Sequence, residues 1–398
     1  MSSSARPRAL AVVALTGTAL VAALVPQLAA QADSGSSNRS FSYAVYGDAP
    51  YGTSPTDTSE TDATPGFIAK VNADPAVSGI VHVGDIHSGS QYCTEAYDRQ
   101  IAALWSTFAD PMVYTPGDNE WADCHKKKEG GGAYDAGTGT IKYVLGADGQ
   151  PVSYARGNPV ANLALIRSVF FPHPGGTLGS GDLDVLSQAE VDNGAHPADG
   201  QYVENVMWQR KGVVFVTINL PGGSNNDADP WYGAPVTAEQ TTEAAERTAA
   251  DLRWLDRAFD TAAAQDAQGV VVIAQADMWD LDGAATNAHL SSYEPFVAKL
   301  AGRTSDLGKP VLLLNGDSHV YRSDNPLAEG SDCTGDQGVC AADAWPSHPS
   351  YDVPNFHRVV VHGSTTPLEY LRLTVTPGQH GPATATSFGP FSWERVTD

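Results

Sequence analysis

Five aspartates stand directly behind short apolar runs. The run at 41–47 leads into Asp48, 79–84 into Asp85, 112–117 into Asp118, 270–276 into Asp277 and 310–316 into Asp317. In four of the five a glycine precedes the aspartate. Gly-Asp is an ordinary turn dipeptide, and the chain has others at Gly181-Asp182 and Gly335-Asp336. Repetition at the ends of core strands makes it a signal. In an open α/β sheet the carboxyl ends of the strands line one crevice, where ligands bind. Carboxylates gathered there repel one another, so either some are protonated or cations sit among them. Hard divalent cations with oxygen ligands are the chemistry this pattern supports. His87 stands two residues after Asp85, and His319 two after Asp317. In an extended segment such pairs point the same way. Imidazole beside carboxylate suits Zn, Fe or Mn better than Mg alone.

Positioning these residues requires an alternating scaffold. Runs at 41–46, 79–83, 112–115, 212–220, 270–274 and 310–314 read as buried strands. Helices are expected at 95–108, with Ile101, Leu104, Trp105 and Phe108 on one stripe, at 237–264, and at 292–301. The alternation implies an α/β fold with mainly parallel pairing in its core. Near the end, 357–361 and 370–376 read as strands with a short connection, hence an antiparallel pair and a second sheet. Between Trp121 and Tyr202 lies a long Gly- and Asp-rich insertion, with Asp148-Gly149 as a hairpin turn inside it.

In order and spacing, these motifs resemble the calcineurin-like metallophosphoesterases, purple acid phosphatases included. The chain reads Tyr46-Gly47-Asp48, then Gly84-Asp85-Ile86-His87, then Pro116-Gly117-Asp118-Asn119-Glu120, then the 270–275 strand, then Gly316-Asp317-Ser318-His319-Val320-Tyr321. The family has G-D, G-D, G-N-H-D/E, a strand ending in His, and G-H-x-H-x-Y. The resemblance implies a four-layer αββα sandwich, two central sheets flanked by helices, over one domain at 41–398 with a loop-rich insertion at about 122–202. It implies that Asp48 binds a first metal and Asp85 bridges two. Asp118, Gln275 and Asp317 stand at the places of other ligands, His319 matches a ligand, and Asp277 lies beside them. Shifting the match by one residue would make Asn119 the ligand instead of Asp118. Two divalent ions about 4 Å apart, of Mn, Mg, Zn or Fe, would clamp a phosphoryl group and activate a bound water. The implied function is hydrolysis of a small phosphorylated substrate by a metal-bound hydroxide. Asn119 occupies the place of the histidine that assists the leaving group, which leaves His87 or His125 as candidates to supply that proton. Pro50 and Tyr51 follow Asp48 where the family has a histidine. These departures leave open a non-catalytic metal- or ligand-binding protein on the same scaffold.

Composition narrows the partners. The chain has 398 residues, 46 acidic against 23 basic, and a net charge of -23. Such a surface repels nucleic acid and anionic membranes, and metal ions would have to invert the charge locally for an anionic substrate. Arg6 and Arg8, an apolar run at 9–25 and Ala30-Gln31-Ala32 have the layout of a secretory signal peptide at 1–32, followed by a polar lead-in at 33–40. The expected protein is therefore secreted and free of the membrane once cleaved. In an oxidising compartment the four cysteines pair. Cys333 and Cys340 suit a small local loop, which leaves Cys93 with Cys124. Gly316-Asp317-Ser318-His319 does not continue into a nucleophile elbow, because Val320 stands where glycine is needed. Asp280-Leu281-Asp282-Gly283 is too short for an EF-hand, and Lys126-Lys127-Lys128 reads as an exposed basic loop.

Overall fold

Each core strand divides its side chains between two apolar clusters, and that division builds the layers. The first sheet holds β1 (Phe41–Tyr46), β2 (Val77–His82) and β3 (Met112–Tyr114). The second holds β4 (Val206–Arg210), β5 (Val213–Thr217), β6 (Gly269–Ile273), β7 (Val311–Asn315) and β8 (Phe356–Val360). The chain then returns to the first sheet with β9 (Tyr370–Val375) and β10 (Phe391–Val396). Phe41, Tyr43 and Val45 of β1 meet Phe215, Val271, Ile273, Leu312 and Leu314 between the sheets. The alternate residues Ala44 and Tyr46 face outward onto helices. Likewise Val270, Val272, Val311 and Leu313 turn to the opposite outer layer. A strand covered on both faces reads as an unbroken apolar run, which is why these segments are legible in the sequence.

This computed structural model describes Met1 and residues 39–191, 194–279, 287–328, 330–336, 338–339, 348–365 and 368–397. The expected leader, the 280–283 turn and Cys340 lie outside them.

Among the described residues the first sheet has seven strands, in the order β3-β2-β1-β9-β10 and then two short ones, Ser387–Gly389 and Gly381–Thr384. β1 is parallel to β2, with Ala44 opposite Ile80, and antiparallel to β9, with Ala44 opposite Arg372. The second sheet has nine strands among the described residues, and its centre, β5-β6-β7-β8, is parallel throughout. Helices α1 (Ser59–Asn72), α2 (Glu95–Trp105) and α3 (Pro159–Phe170) cover the first sheet through Phe67, Ile101, Trp105 and Ile166. Helices α4 (Ala238–Ala264) and α5 (Glu294–Leu307) cover the second through Trp254, Phe259, Phe296 and Leu300. Thr237 caps α4 by accepting the Gln240 N–H. The result is the four-layer αββα sandwich. Trp208 stitches its middle, stacking on Phe215 and donating Nε1–H to the Tyr43 hydroxyl across the sheets at 3.0 Å.

Two expectations need correction. The strands expected at 357–361 and 370–376 do not pair with each other. β8 lies parallel to β7 in the second sheet, while β9 pairs with β1 in the first. The short connection crosses between layers, so the second sheet was the right inference from the wrong pairing. β4 was not expected at all. It forms a hairpin with β5 through Lys211 and Gly212, which both have left-handed backbone, φ 48° and 78°.

Cys93 and Cys124 form a disulfide, with Cα atoms 5.7 Å apart and a sequence separation of 31. They lie on the loops that leave β2 and β3, as the placement of those strand ends predicts. Cys333 is also disulfide-bonded. Replacing both Cys93 and Cys124 by serine should lower stability by about 3–4 kcal/mol on the chain-entropy estimate. Calorimetry should show this as a lower Tm, and an unchanged Tm would mean that the loops are held by other contacts alone.

Candidate metal centre

Asp48 leaves β1, Asp85 leaves β2, and Asp317 and His319 leave β7, so both sheets supply the crevice. Each of these four residues has left-handed backbone, with φ of 50°, 61°, 77° and 56°. A non-glycine residue held there costs about 1–3 kcal/mol and is tolerated only where the surroundings enforce it. The glycines before the aspartates clear space for side chains of neighbouring strands, and at Gly316 and Gly117 that side chain is a carboxylate. A Cβ on Gly316 would sit 2.2 Å from Asp48 Oδ2, and one on Gly117 would sit 1.9 Å from Asp85 Oδ1. The recurring Gly-Asp pair is therefore a packing requirement between strands as well as a turn.

The contacts are dense. Asp317 N–H donates to Asp48 Oδ1 at 2.9 Å, joining the sheets at this point. Asp85 Oδ2 accepts from the Tyr51 hydroxyl at 2.7 Å, Asn119 Nδ2 at 2.9 Å and Gln275 Nε2 at 3.2 Å. Gln275 Nε2 also donates to Asp118 Oδ1 at 3.0 Å. His319 Nε2 lies 3.5 Å from Asp48 Oδ1 and 3.3 Å from the Tyr51 oxygen. The His319 side chain is 40% exposed, whereas that of Asp48 is fully buried, so the crevice opens on the histidine side.

Burial dominates the electrostatics. It holds the Asp85 carboxyl well above the usual range, with the charges of Asp118, Glu120 and Asp48 adding to it. Burial and then Asp118 do the same to Asp317. Asp118 is pushed up to about 7 by burial and then by Asp123. The Tyr51 hydroxyl is driven far above its ordinary value by burial and by Asp85 and Asp48, so it stays a donor. For His319 burial opposes the charged form, but the hydrogen bond and charge of Asp48 outweigh it and raise its pKa.

Three of these residues form a candidate cation site. Asp48, Asp85 and His319 each offer a ligand atom, all within 4.8 Å of one another. Asp48 Oδ2 is buried with no hydrogen-bond partner among the described residues. Three hard-to-borderline donors on an unpaired buried carboxylate suit a divalent ion.

The other expected residues have different surroundings. Asp277 directs Oδ1 to Arg358 Nη1 at 2.9 Å and to the Trp279 N–H, while its own N–H donates to Asp317. His87 is buried, with Nδ1 on the Ser88 carbonyl, and burial holds its pKa down to about 4. Its Nε2 has no partner among the described residues. Asn119 is committed to Asp85 and to the Tyr51 hydroxyl. Tyr51 is central here, yet the sequence marked it only as a residue out of pattern. A loop tyrosine carries no periodic signal.

Asp123, His125 and Asp229 form a second close group. Lys126 pairs with both carboxylates, and the Tyr232 N–H donates to His125 Nδ1. With Nδ1 accepting, neutral His125 carries its proton on Nε2 and has no lone pair for a metal. This group is an ion-pair network.

No family model matches the chain, and no curated protein matches it. Among solved structures, a purple acid phosphatase from yellow lupin (Lupinus luteus) seeds matches at 10% identity and a TM-score of 0.37, covering 85% of this chain and 49% of that one. The chain thus spans about half the length of that protein.

His82 ties two of the loops together. Gly84 N–H donates to its Nδ1 at 3.1 Å, so Nε2 carries the proton and donates to the Ala49 carbonyl at 2.9 Å. Burial holds its pKa down to about 4. A folded pKa below the ordinary value of about 6.5 means that stability is full above about pH 6.5 and is lost as pH falls toward about 4. His82→Gln removes that titration. The stability gap between wild type and variant should therefore narrow by about 2 kcal/mol between about pH 7.5 and about pH 5. Urea unfolding at the two pH values measures it, and a constant gap would mean that the folded ring takes up its proton as readily as the unfolded one.

Proposed function

We propose that this protein is a metal-dependent hydrolase of phosphate esters, of the metallophosphoesterase type, acting on a small phosphorylated substrate. The observation that carries the reading is the meeting of Asp48, Asp85 and His319 at strand ends from both sheets, with ligand atoms within 4.8 Å. A divalent cation held there would neutralise phosphoryl charge and lower the pKa of water. The remaining roles belong to the chain. Tyr51 and Asn119 fix the Asp85 carboxylate through their hydrogen bonds to Oδ2. Glu60 accepts the Tyr51 N–H at 2.6 Å and holds that loop in place. His319, on the open side, stands where an anionic substrate would enter. His87 could take part in proton transfer only through Nε2, since Nδ1 is committed to a carbonyl.

In this reading one domain over 41–398 carries the activity, and the 122–202 segment is an insertion beside the crevice. Export is part of the proposal. The Cys93–Cys124 disulfide supports an oxidising compartment, and among the described residues no helix is long and apolar enough to cross a membrane.

A non-catalytic, metal-binding reading is favoured by one observation. Asn119, at the place of the family's leaving-group histidine, has its amide committed to Asp85 and Tyr51.

Chelation should abolish hydrolysis of aryl phosphate mono- and diesters, and a divalent ion from the Mn, Zn, Fe and Mg series should restore it. Asp85→Asn should reduce the metal-restored rate by more than about 100-fold, with the circular dichroism spectrum unchanged. A variant as active as wild type would sink the proposed role of Asp85. A metal-loaded protein inert toward every ester would favour the non-catalytic reading.

A further inference from the structure

We infer that the centre is built for a single divalent cation on Asp48, Asp85 and His319, and that the amide of Gln275 fills the place a second cation would need. This inference rests on the metal-dependent reading and deepens it. Gln275 follows β6 and is fully buried. Its Oε1 accepts the backbone N–H of Gly222. An N–H can be met there only by the amide oxygen, so the orientation is decided and the NH2 group faces the other way. That nitrogen lies between two carboxylates, 3.0 Å from Asp118 Oδ1 and 3.2 Å from Asp85 Oδ2. One N–H goes to each.

A first-row divalent ion binds a carboxylate oxygen at about 2.0–2.2 Å. An ion bridging these same two oxygens would overlap the amide nitrogen. Gln275 would then have to turn its oxygen inward and set an NH2 against the Gly222 N–H, donor against donor. Nor can the side chain swing away. Gly84, at φ 112°, packs so closely that a Cβ there would lie 2.6 Å from Gln275 Cβ and Cγ. The backbone of Gln275 is held as well, its carbonyl accepting Gly316 N–H at 3.0 Å.

The two halves of the crevice therefore differ in kind. On the Asp48 side a buried carboxylate oxygen has no donor among the described residues. On the Asp118 side the carboxylate already has an amide donor and the nearby positive charge of Lys126. Asp317 accepts the Asp277 N–H at 2.9 Å. One half asks for a cation, and the other is satisfied by the protein.

Two measurements test this on the protein purified without chelator. Metal content after saturation with Mn2+ or Zn2+ and desalting should be one ion per chain. The paramagnetic resonance spectrum of the Mn2+ form should be that of isolated ions, without exchange coupling. Gln275→His, which replaces the blocking amide by a ligand, should raise the content to two and bring in coupling. Two ions per chain in the unmodified protein would overturn the single-cation inference and leave the metal-dependent reading standing. No bound metal would overturn both. Should Gln275→His fail to fold, the wild-type count and spectrum still decide.

Discussion

The N–H of Asp317 reaches Asp48 Oδ1 at 2.9 Å, and these residues leave strands of different sheets. The Asp48 carbonyl in turn accepts Ser364 N–H at 2.7 Å. Asp48 is thus the point where β1, β7 and the segment after β8 are fastened. Its complete burial is possible because Gly316 and Gly363 have no side chain. A Cβ on Gly363 would lie 2.1 Å from Asp48 Cβ. Everything else in the crevice follows from placing a carboxylate where water cannot reach it. An isolated buried charge is too costly to persist, so it must be paired, protonated or coordinated.

The protein resolves that cost differently in different places. Asp324 receives Arg358 Nε and Nη2 at 2.9 and 2.8 Å and is held below the usual carboxylate range despite its burial. Asp277 shares the same arginine. Glu204, fully buried, is met by Arg167 through two nitrogens. Among the described residues no arginine or lysine pairs with Asp48, Asp85 or Asp317. Backbone N–H groups reach Asp48 and Asp317, and His319 stands beside Asp48. Tyr51, Asn119 and Gln275 orient the Asp85 carboxylate as neutral donors. A crevice of buried carboxylates without arginine or lysine partners is suited to a cation, whereas carboxylates paired with arginine are framework. The division separates Asp277 from Asp48 and Asp85 although all three end core strands.

The same contrast limits the Asp123–His125–Asp229 group. Proximity of carboxylates and imidazole is not enough when a lysine already pairs with both acids and a backbone N–H takes the available nitrogen. Orientation, set by single hydrogen bonds from the main chain, decides which side chains have lone pairs to offer. Gly222 does this for Gln275, Gly84 for His82 and Tyr232 for His125.

The sequence by itself determined β1 to β3, β5 to β9, the helices α2, α4 and α5 and the recurrence of aspartate at strand ends, because these are local signals, whereas β4, β10, α1 and α3 were not read from it. A segment buried on both faces must be apolar throughout, and a loop that leaves a strand end must turn there, whatever else the chain does. The Cys93–Cys124 pair was legible for a related reason: neighbouring parallel strands put their outgoing loops side by side. Only the tertiary structure decided that β8 and β9 belong to different sheets, since a short connection can either form a hairpin or cross between layers. It alone turned the Asp277 carboxylate to Arg358, brought the Tyr51 hydroxyl onto Asp85 and set the amide of Gln275. Those outcomes depend on partners 34 to 81 residues away in sequence. No pattern of residue types reveals which atom of a side chain such a partner will meet.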